Sequence, residues 1–238
     1  MPSSSYRYET FEFDTAEGVF VPTHTSQLLI KSARQILDKP GRLLDVGCGI
    51  GICGLVLGKL GLCSVPVFFS DLSERATAVA RENARKLNVP ADIRSGPLFA
   101  PWAGERFDDI IADVPGISQE IARLSPWFPQ GVECQTGRDG TDLVVRMLEQ
   151  APKHLNPGGR LLFPVLSLSN ENRILNVARA HFSEVDLVSE QTWFLPEELT
   201  RHFDKLRPLQ EEGAIQLKQK VGMWLWFVKV YQASHALS

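Results

Sequence analysis

Leu43-Leu44-Asp45-Val46-Gly47-Cys48-Gly49-Ile50-Gly51 joins an apolar run to three alternating glycines, and a helix-like pattern follows through Ile52, Leu55, Val56 and Leu57. Strand, tight turn and helix in this order open a nucleotide-binding β-turn-α unit. Glycine serves there because the backbone must turn sharply and approach a ligand that a side chain would obstruct. Asp45 ends the strand, before the glycines. A second acid, Asp71, closes the next apolar run, Val65 to Phe69, at the separation where such folds hold a ribose. A carboxylate beside a diphosphate is repelled, whereas a cationic ligand is attracted to it.

The flanks continue the α/β pattern. Before the turn, Thr25 or Ser26 is placed to cap a helix through Leu29, Ala33, Ile36 and Leu37 that Pro40-Gly41 stops. After it, Val65–Asp71 reads as the second strand, and Ser73 caps a helix through Ala76, Val79, Ala80 and Ala84. Ala91–Ser95 reads as the third strand and Phe107–Asp113 as the fourth. Leu155–Arg160 is a turn, Leu161–Val165 the fifth strand, Val185–Val188 the sixth and Gly222–Tyr231 the seventh. Helices are expected from Asp142 to Ala151 and from Asn170 to Ala180. A charged insertion, Pro196 to Lys220, is helical from Glu197 to Leu206 and is either a lid or a solvated periphery. The first 18 or so residues, with Tyr6, Tyr8, Phe11 and Phe13 alternating, read as a strand or arm on the core, or a flap over the site. Ser125 to Thr141, containing Pro126, Trp127, Phe128, Pro129 and Gly131, is an irregular loop of the length that serves function.

Composition narrows the class. A 44% hydrophobic and 22% charged chain of 238 residues fits one globular domain, and a net charge of −3 gives no global field for nucleic acid or anionic membrane. No apolar run approaches the roughly 20 residues of a membrane span, and the N-terminus lacks a signal-peptide core. Cys48, Cys53, Cys63 and Cys134 have no zinc-ligand spacing, so reduced thiols in the cytoplasm are expected and no metal. A short-chain nicotinamide dehydrogenase would need Tyr-x-x-x-Lys; Tyr6, Tyr8 and Tyr231 lack the lysine.

Asp-Val-Gly-Cys-Gly-x-Gly at 45–51 resembles the first motif of the class I S-adenosylmethionine-dependent methyltransferases. Asp113-Val114-Pro115-Gly116 after the fourth strand and Gly137-Arg138-Asp139-Gly140-Thr141-Asp142-Leu143 are similar to the HemK/PrmC family, as is the passage Val19–Ile30. The resemblance implies a Rossmann-like domain, with a seven-stranded, mostly parallel sheet, a C-terminal antiparallel hairpin and helices on both faces. It implies an arm and helix over residues 1–40 that border the cofactor pocket, and a methyltransferase domain over 41–238, together one structural domain. The implied cofactor is S-adenosyl-L-methionine. Its implied contacts are Asp45, Gly47, Cys48, Gly49, Gly51, Asp71, Leu72, Asp113 and Thr25, with backbone groups of Pro97 and Leu98, since Pro97 stands where many members have an adenine-binding acid.

In that family an Asn or Asp, two prolines and an aromatic handle a nitrogen acceptor. Here Asp113 and Pro115 match and are the implied catalytic residues; Val114 and Gly116 depart. Trp102, Trp127 and Phe128 are candidate replacement rings, with ordinary packing as their default role. His24 reads as a surface or capping histidine rather than a catalytic one. The implied reaction is N-methylation of a protein side chain or nucleic-acid base. A small-molecule O- or N-methyltransferase is the alternative, and a non-catalytic cofactor-binding partner subunit is the alternative of another class. About 40 residues precede the motif, too few for the helical domain by which PrmC recognises its protein substrate. The acceptor and oligomeric state are left open by the sequence.

Overall fold

The computed structural model describes residues 5–128 and 135–237. Pro129, Gly131 and Cys134, singled out in the sequence, lie outside the described residues.

One main sheet carries the molecule. In chain order its strands are β3 (Leu43–Val46), β4 (Val67–Asp71), β5 (Ala91–Ser95), β6 (Phe107–Ala112), β7 (Leu155–Leu166), β8 (Phe182–Phe194), β9 (Lys218–Lys220) and β10 (Met223–Ala236). Their spatial order is β5-β4-β3-β6-β7-β10-β8, with the three-residue β9 added to β10. The expected seven-strand path is therefore present, with a short eighth strand. β3 pairs in parallel with β4 and β6, and β10 is antiparallel to both β7 and β8. The order reverses at β3, so the carboxyl ends of β3, β4 and β6 frame a crevice.

Apolar residues bury both faces. β3 has every residue buried, as a central parallel strand does. Leu43 joins the face shared with Leu55, Val56 and Phe69; Leu44 joins Ile110, Phe107 and Phe163 on the other. Helix α1 (His24–Ile36) lies on the first face beside α2 (Ile52–Lys59). Arg160 fastens the C-terminal end of α1, with Nη1 donating to the Ile36 carbonyl at 2.8 Å and Nε to Asp109 Oδ1 at 2.8 Å. The opposite end of α1 thus points to the crevice. A hairpin of β1 (Ser5–Tyr8) and β2 (Phe11–Asp14) buries Phe13 and clasps α3 (Glu74–Leu87) through hydrogen bonds between Asp14 and Asn83.

Four expectations are corrected. Thr23, not Thr25 or Ser26, caps α1; its side chain accepts from Thr25 N–H, and Thr25 and Ser26 lie buried in the first turn. The stretch Leu155–Arg160 belongs to β7: Leu155 pairs with Phe107 and Arg160 with Asp109, so the Pro-Gly-Gly segment is a bulge within the strand. β8 spans 13 residues rather than four. The insertion helix is broken into α7 (Glu197–Thr200) and α8 (Phe203–Glu211). Among the described residues no helix is long and apolar enough to cross a membrane.

Candidate active site

The glycine turn is held by its own backbone. Gly47, Gly49 and Gly51 all have positive φ, at 71°, 54° and 85°. The N–H groups of Gly47 and Cys48 both donate to the Ser70 carbonyl, at 2.8 and 3.1 Å, tying the turn to the end of β4. A Cβ at Gly47 would lie 3.0 Å from Val114 Cγ1 and 3.3 Å from the Asp113 carbonyl oxygen. The glycine turn and the 113–116 motif are thus in contact.

Three carboxylates meet at this edge. Asp45 is 1% exposed; Oδ2 accepts the Gly54 N–H at 2.8 Å, and Oδ1 has no partner among the described residues. Burial, with Asp113 and Asp71 nearby, pushes its carboxyl up to about 7. Asp71 accepts from Gly49 N–H through Oδ2 and Ser73 N–H through Oδ1, both at 2.8 Å; burial raises its pKa and these bonds oppose the rise. Asp113 is pushed up to about 6 by burial, against a hydrogen bond from Ser26. Backbone donors and a hydroxyl hold the three, with no ion pair to any of them among the described residues. Such a site suits a ligand that brings its own positive charge. The residues fit a sulfonium cofactor: a negative crevice, a cradle a Cβ would fill, and an exposed side of Asp71 next to Leu72, itself 74% exposed. Asp45 has no open face, so it acts on a ligand through its field and the turn it anchors.

The other cofactor candidates divide. Cys48 is buried, and burial first, then Asp45 and Asp71, raises its thiol pKa, so it lines the turn as an inert side chain. Thr25 is buried in the first turn of α1. Pro97 and Leu98 follow Gly96, whose N–H donates to the Asp71 carbonyl at 2.9 Å, so both lie beside the end of β4.

The acceptor motif follows β6. Ser26 Oγ donates to Asp113 Oδ2 at 2.6 Å across 87 residues of sequence. Asp113 Oδ1 accepts no bond among the described residues and remains available. Pro115 is exposed and Gly116 buried. A Cβ at Gly116 would sit 3.1 Å from Val144 Cγ2, on helix α5 (Asp142–Gln150), so this position has little room for a ring. Trp102 is fully buried among Phe68 and Phe107 and is no replacement. Trp127 packs on Trp226 with centroids 4.8 Å apart, Trp193 on Trp226 at 5.2 Å, and Phe128 meets Phe20 edge-on at 5.3 Å. Phe20 lies by the turn, since a Cβ at Gly49 would be 3.9 Å from its carbonyl oxygen. Exposed His24 stacks on Trp193 at 5.4 Å. Sequence reading missed Ser26 as a partner of Asp113 and missed Trp193 and Trp226; nothing local marks them.

Residues 10–124 match the family model described as methyltransferase small domain. The chain is similar to the release factor glutamine methyltransferase of Geobacter sulfurreducens, 28% identical over 155 residues that cover 63% of this chain and 54% of the relative. It is similar to the ribosomal protein uL3 glutamine methyltransferase of Bradyrhizobium diazoefficiens, 33% identical over 144 residues, covering 55% and 43%. The chain thus spans about half the length of these curated relatives. Its fold is similar to that of a Thermus thermophilus 16S rRNA methyltransferase solved with AdoMet and guanosine. The TM-score is 0.62 and the identity 16%, over 98% of this chain and 50% of that one.

Proposed function

We propose that the chain acts as a class I S-adenosylmethionine-dependent methyltransferase, in keeping with its match to the methyltransferase small domain, and that it methylates a side-chain amide nitrogen of a protein. The observation that carries this reading is Asp113, fixed by Ser26 with Oδ1 left free, in contact with the glycine turn. Bound S-adenosylmethionine supplies a methyl group on a positively charged sulfur. Asp71 would hold the ribose hydroxyls through lone pairs its two backbone donors leave over. Asp45, Gly47, Gly49 and Gly51 shape the cradle for the amino-acid end, and Leu72, Pro97 and Leu98 border the base.

The chain's own part is to position a poor nucleophile. An amide nitrogen shares its lone pair with the carbonyl, so an acceptor that draws on its N–H raises its reactivity. Asp113 Oδ1 would accept one N–H, and a backbone carbonyl beside Pro115 would accept the other. On methylation the nitrogen would give up a proton, and Asp113 would receive it. A carboxyl near 6 is ionised at neutral pH yet basic enough for that role. Glutamine is the acceptor named for both curated relatives, and it is the acceptor assigned here.

One feature favours a second reading. Val144 crowds Gly116 where the resemblance calls for an aromatic, which suits a smaller acceptor with an amine or hydroxyl. The test is transfer of radiolabelled methyl into a host extract later fractionated into protein, nucleic acid and small molecules. Label recovered as methylglutamine in protein supports the first reading. Label confined to small molecules replaces it with the second.

A further inference from the structure

A groove of about 460 Å³ runs beside the outer face of α1, away from the cofactor turn, between the β1–β2 hairpin and the end of β8. Six residues define its chemistry: Glu9, His24, Lys31, Arg34, Gln191 and Trp193. We propose that it binds an acidic segment of the acceptor protein, a proposal that rests on the amide-methylation reading above.

Charge complementarity favours this occupant. The whole chain is acidic, at −3, yet the groove sets two cations against one carboxylate. Arg34 Nη1 meets Glu9 Oε1 at 2.7 Å, with both side chains more than a third exposed, so the pair is weak and easily exchanged. Lys31 is exposed and makes no hydrogen bond or ion pair among the described residues. A free ammonium beside an exchangeable guanidinium attracts carboxylates.

Position connects the groove to the chemistry. Its upper end is the stacked pair His24 and Trp193. His24 shares the first turn of α1 with Ser26, the residue that holds Asp113. Lys31 lies seven residues further along the helix, about 10 Å at 1.5 Å per residue. An extended peptide covers that in about three residues. An acceptor chain whose glutamine lies at Asp113 would pass His24 and then need about three more residues to bring a carboxylate to Lys31. β8 is the last strand of the sheet, so the groove is open along that side to a passing chain.

The test is fluorescence anisotropy on the full chain with S-adenosylmethionine present. The probes are labelled Gln-Ala-Ala-Glu-Glu-Phe, the same peptide with lysines in place of the glutamates, and a labelled oligouridine. The glutamate peptide is expected to bind at least tenfold more tightly than the lysine peptide, and Lys31→Glu to abolish that preference. Lys31→Ala, which adds no new charge, should give an intermediate loss. Cofactor affinity by calorimetry should stay within twofold in both variants, since Lys31 faces away from the turn. Equal binding of the two peptides, or no response to Lys31→Glu, overturns the proposal. Oligouridine binding that outcompetes the glutamate peptide and is lost in Lys31→Glu overturns it in favour of nucleic acid. Failure of the unaltered chain to bind cofactor would defeat the methylation reading instead, and the peptide result would still be readable.

Discussion

The two halves of the crevice are built differently. On the β4 side, the proposed cofactor half is made from two short segments tied mainly through backbone: the glycine turn bonds to Ser70 and Asp71, and Asp71 in turn takes the Gly49 and Ser73 N–H groups. On the other side, the proposed acceptor half is made from side chains that the fold brings from far apart. Ser26 reaches Asp113, Val144 closes on Gly116, and His24, Trp193, Trp226 and Trp127 line up from four separate segments. A ligand common to many proteins can be held by a fixed local motif, whereas a particular acceptor needs residues drawn from several elements. Substitutions on the two sides should therefore separate cofactor affinity from transfer.

On the cofactor side the largest effect is expected at Asp71. Asp71→Ala removes the acceptor for two backbone N–H groups and for the proposed ribose contact, and should weaken cofactor binding by about 100-fold, or roughly 3 kcal/mol. Titration calorimetry measures this, and unchanged affinity would remove the ribose assignment. Next comes Gly54→Ala, a test of how tightly the cofactor half is packed. The new Cβ would lie 2.5 Å from Cε1 of the fully buried Phe69, so a loss of about 1–3 kcal/mol is expected in denaturant unfolding. Stability equal to the parent would mean that the Phe69 ring yields and the α2–β4 contact is loosely packed.

Protonation sharpens the comparison further. Asp45 and Asp113, at about 7 and 6, are raised above the ordinary carboxylate value of about 3.9. The folded state therefore holds protons that the unfolded chain has released. Their contribution to stability is present at low pH and lost as pH rises from about 4 through about 7. A cationic cofactor favours the ionised forms, so binding near pH 6.5 should release protons. Calorimetry in two buffers of different ionisation enthalpy checks this; identical heats would show that the carboxylates do not sense the ligand. The smallest effect is expected for Ser26→Ala. Losing the hydrogen bond that lowers the Asp113 pKa should cut transfer about tenfold, or ~1.4 kcal/mol, and move the pH–rate midpoint upward. A tenfold loss with no shift in that midpoint would make Ser26 a packing residue.

Legibility followed the same division. β5 was readable as Ala91–Ser95, and Ser73 as a cap, because pattern and cap lie within a few residues of one another. The start of α1 was misjudged because Thr23, Thr25 and Ser26 can all cap, and only the fold shows that two are needed inside. β8 was mostly hidden because it is an edge strand with exposed Glu184, Asp186 and Glu190, which break the apolar alternation. The bulge in β7 looked like a turn because Pro-Gly-Gly punctuates a sequence in the same way whether or not a strand continues beyond it. The pairing of Ser26 with Asp113 spans 87 residues and has no local signature.

The most direct test of the two-sided site is single-turnover methyl transfer by Asp113→Ala at saturating cofactor, with cofactor affinity measured on the same preparation. The expected result is loss of transfer by at least 100-fold with affinity within a few-fold of the parent. Normal transfer would show that Asp113 only supports the turn, and a parallel collapse of cofactor affinity would show that the two halves are one.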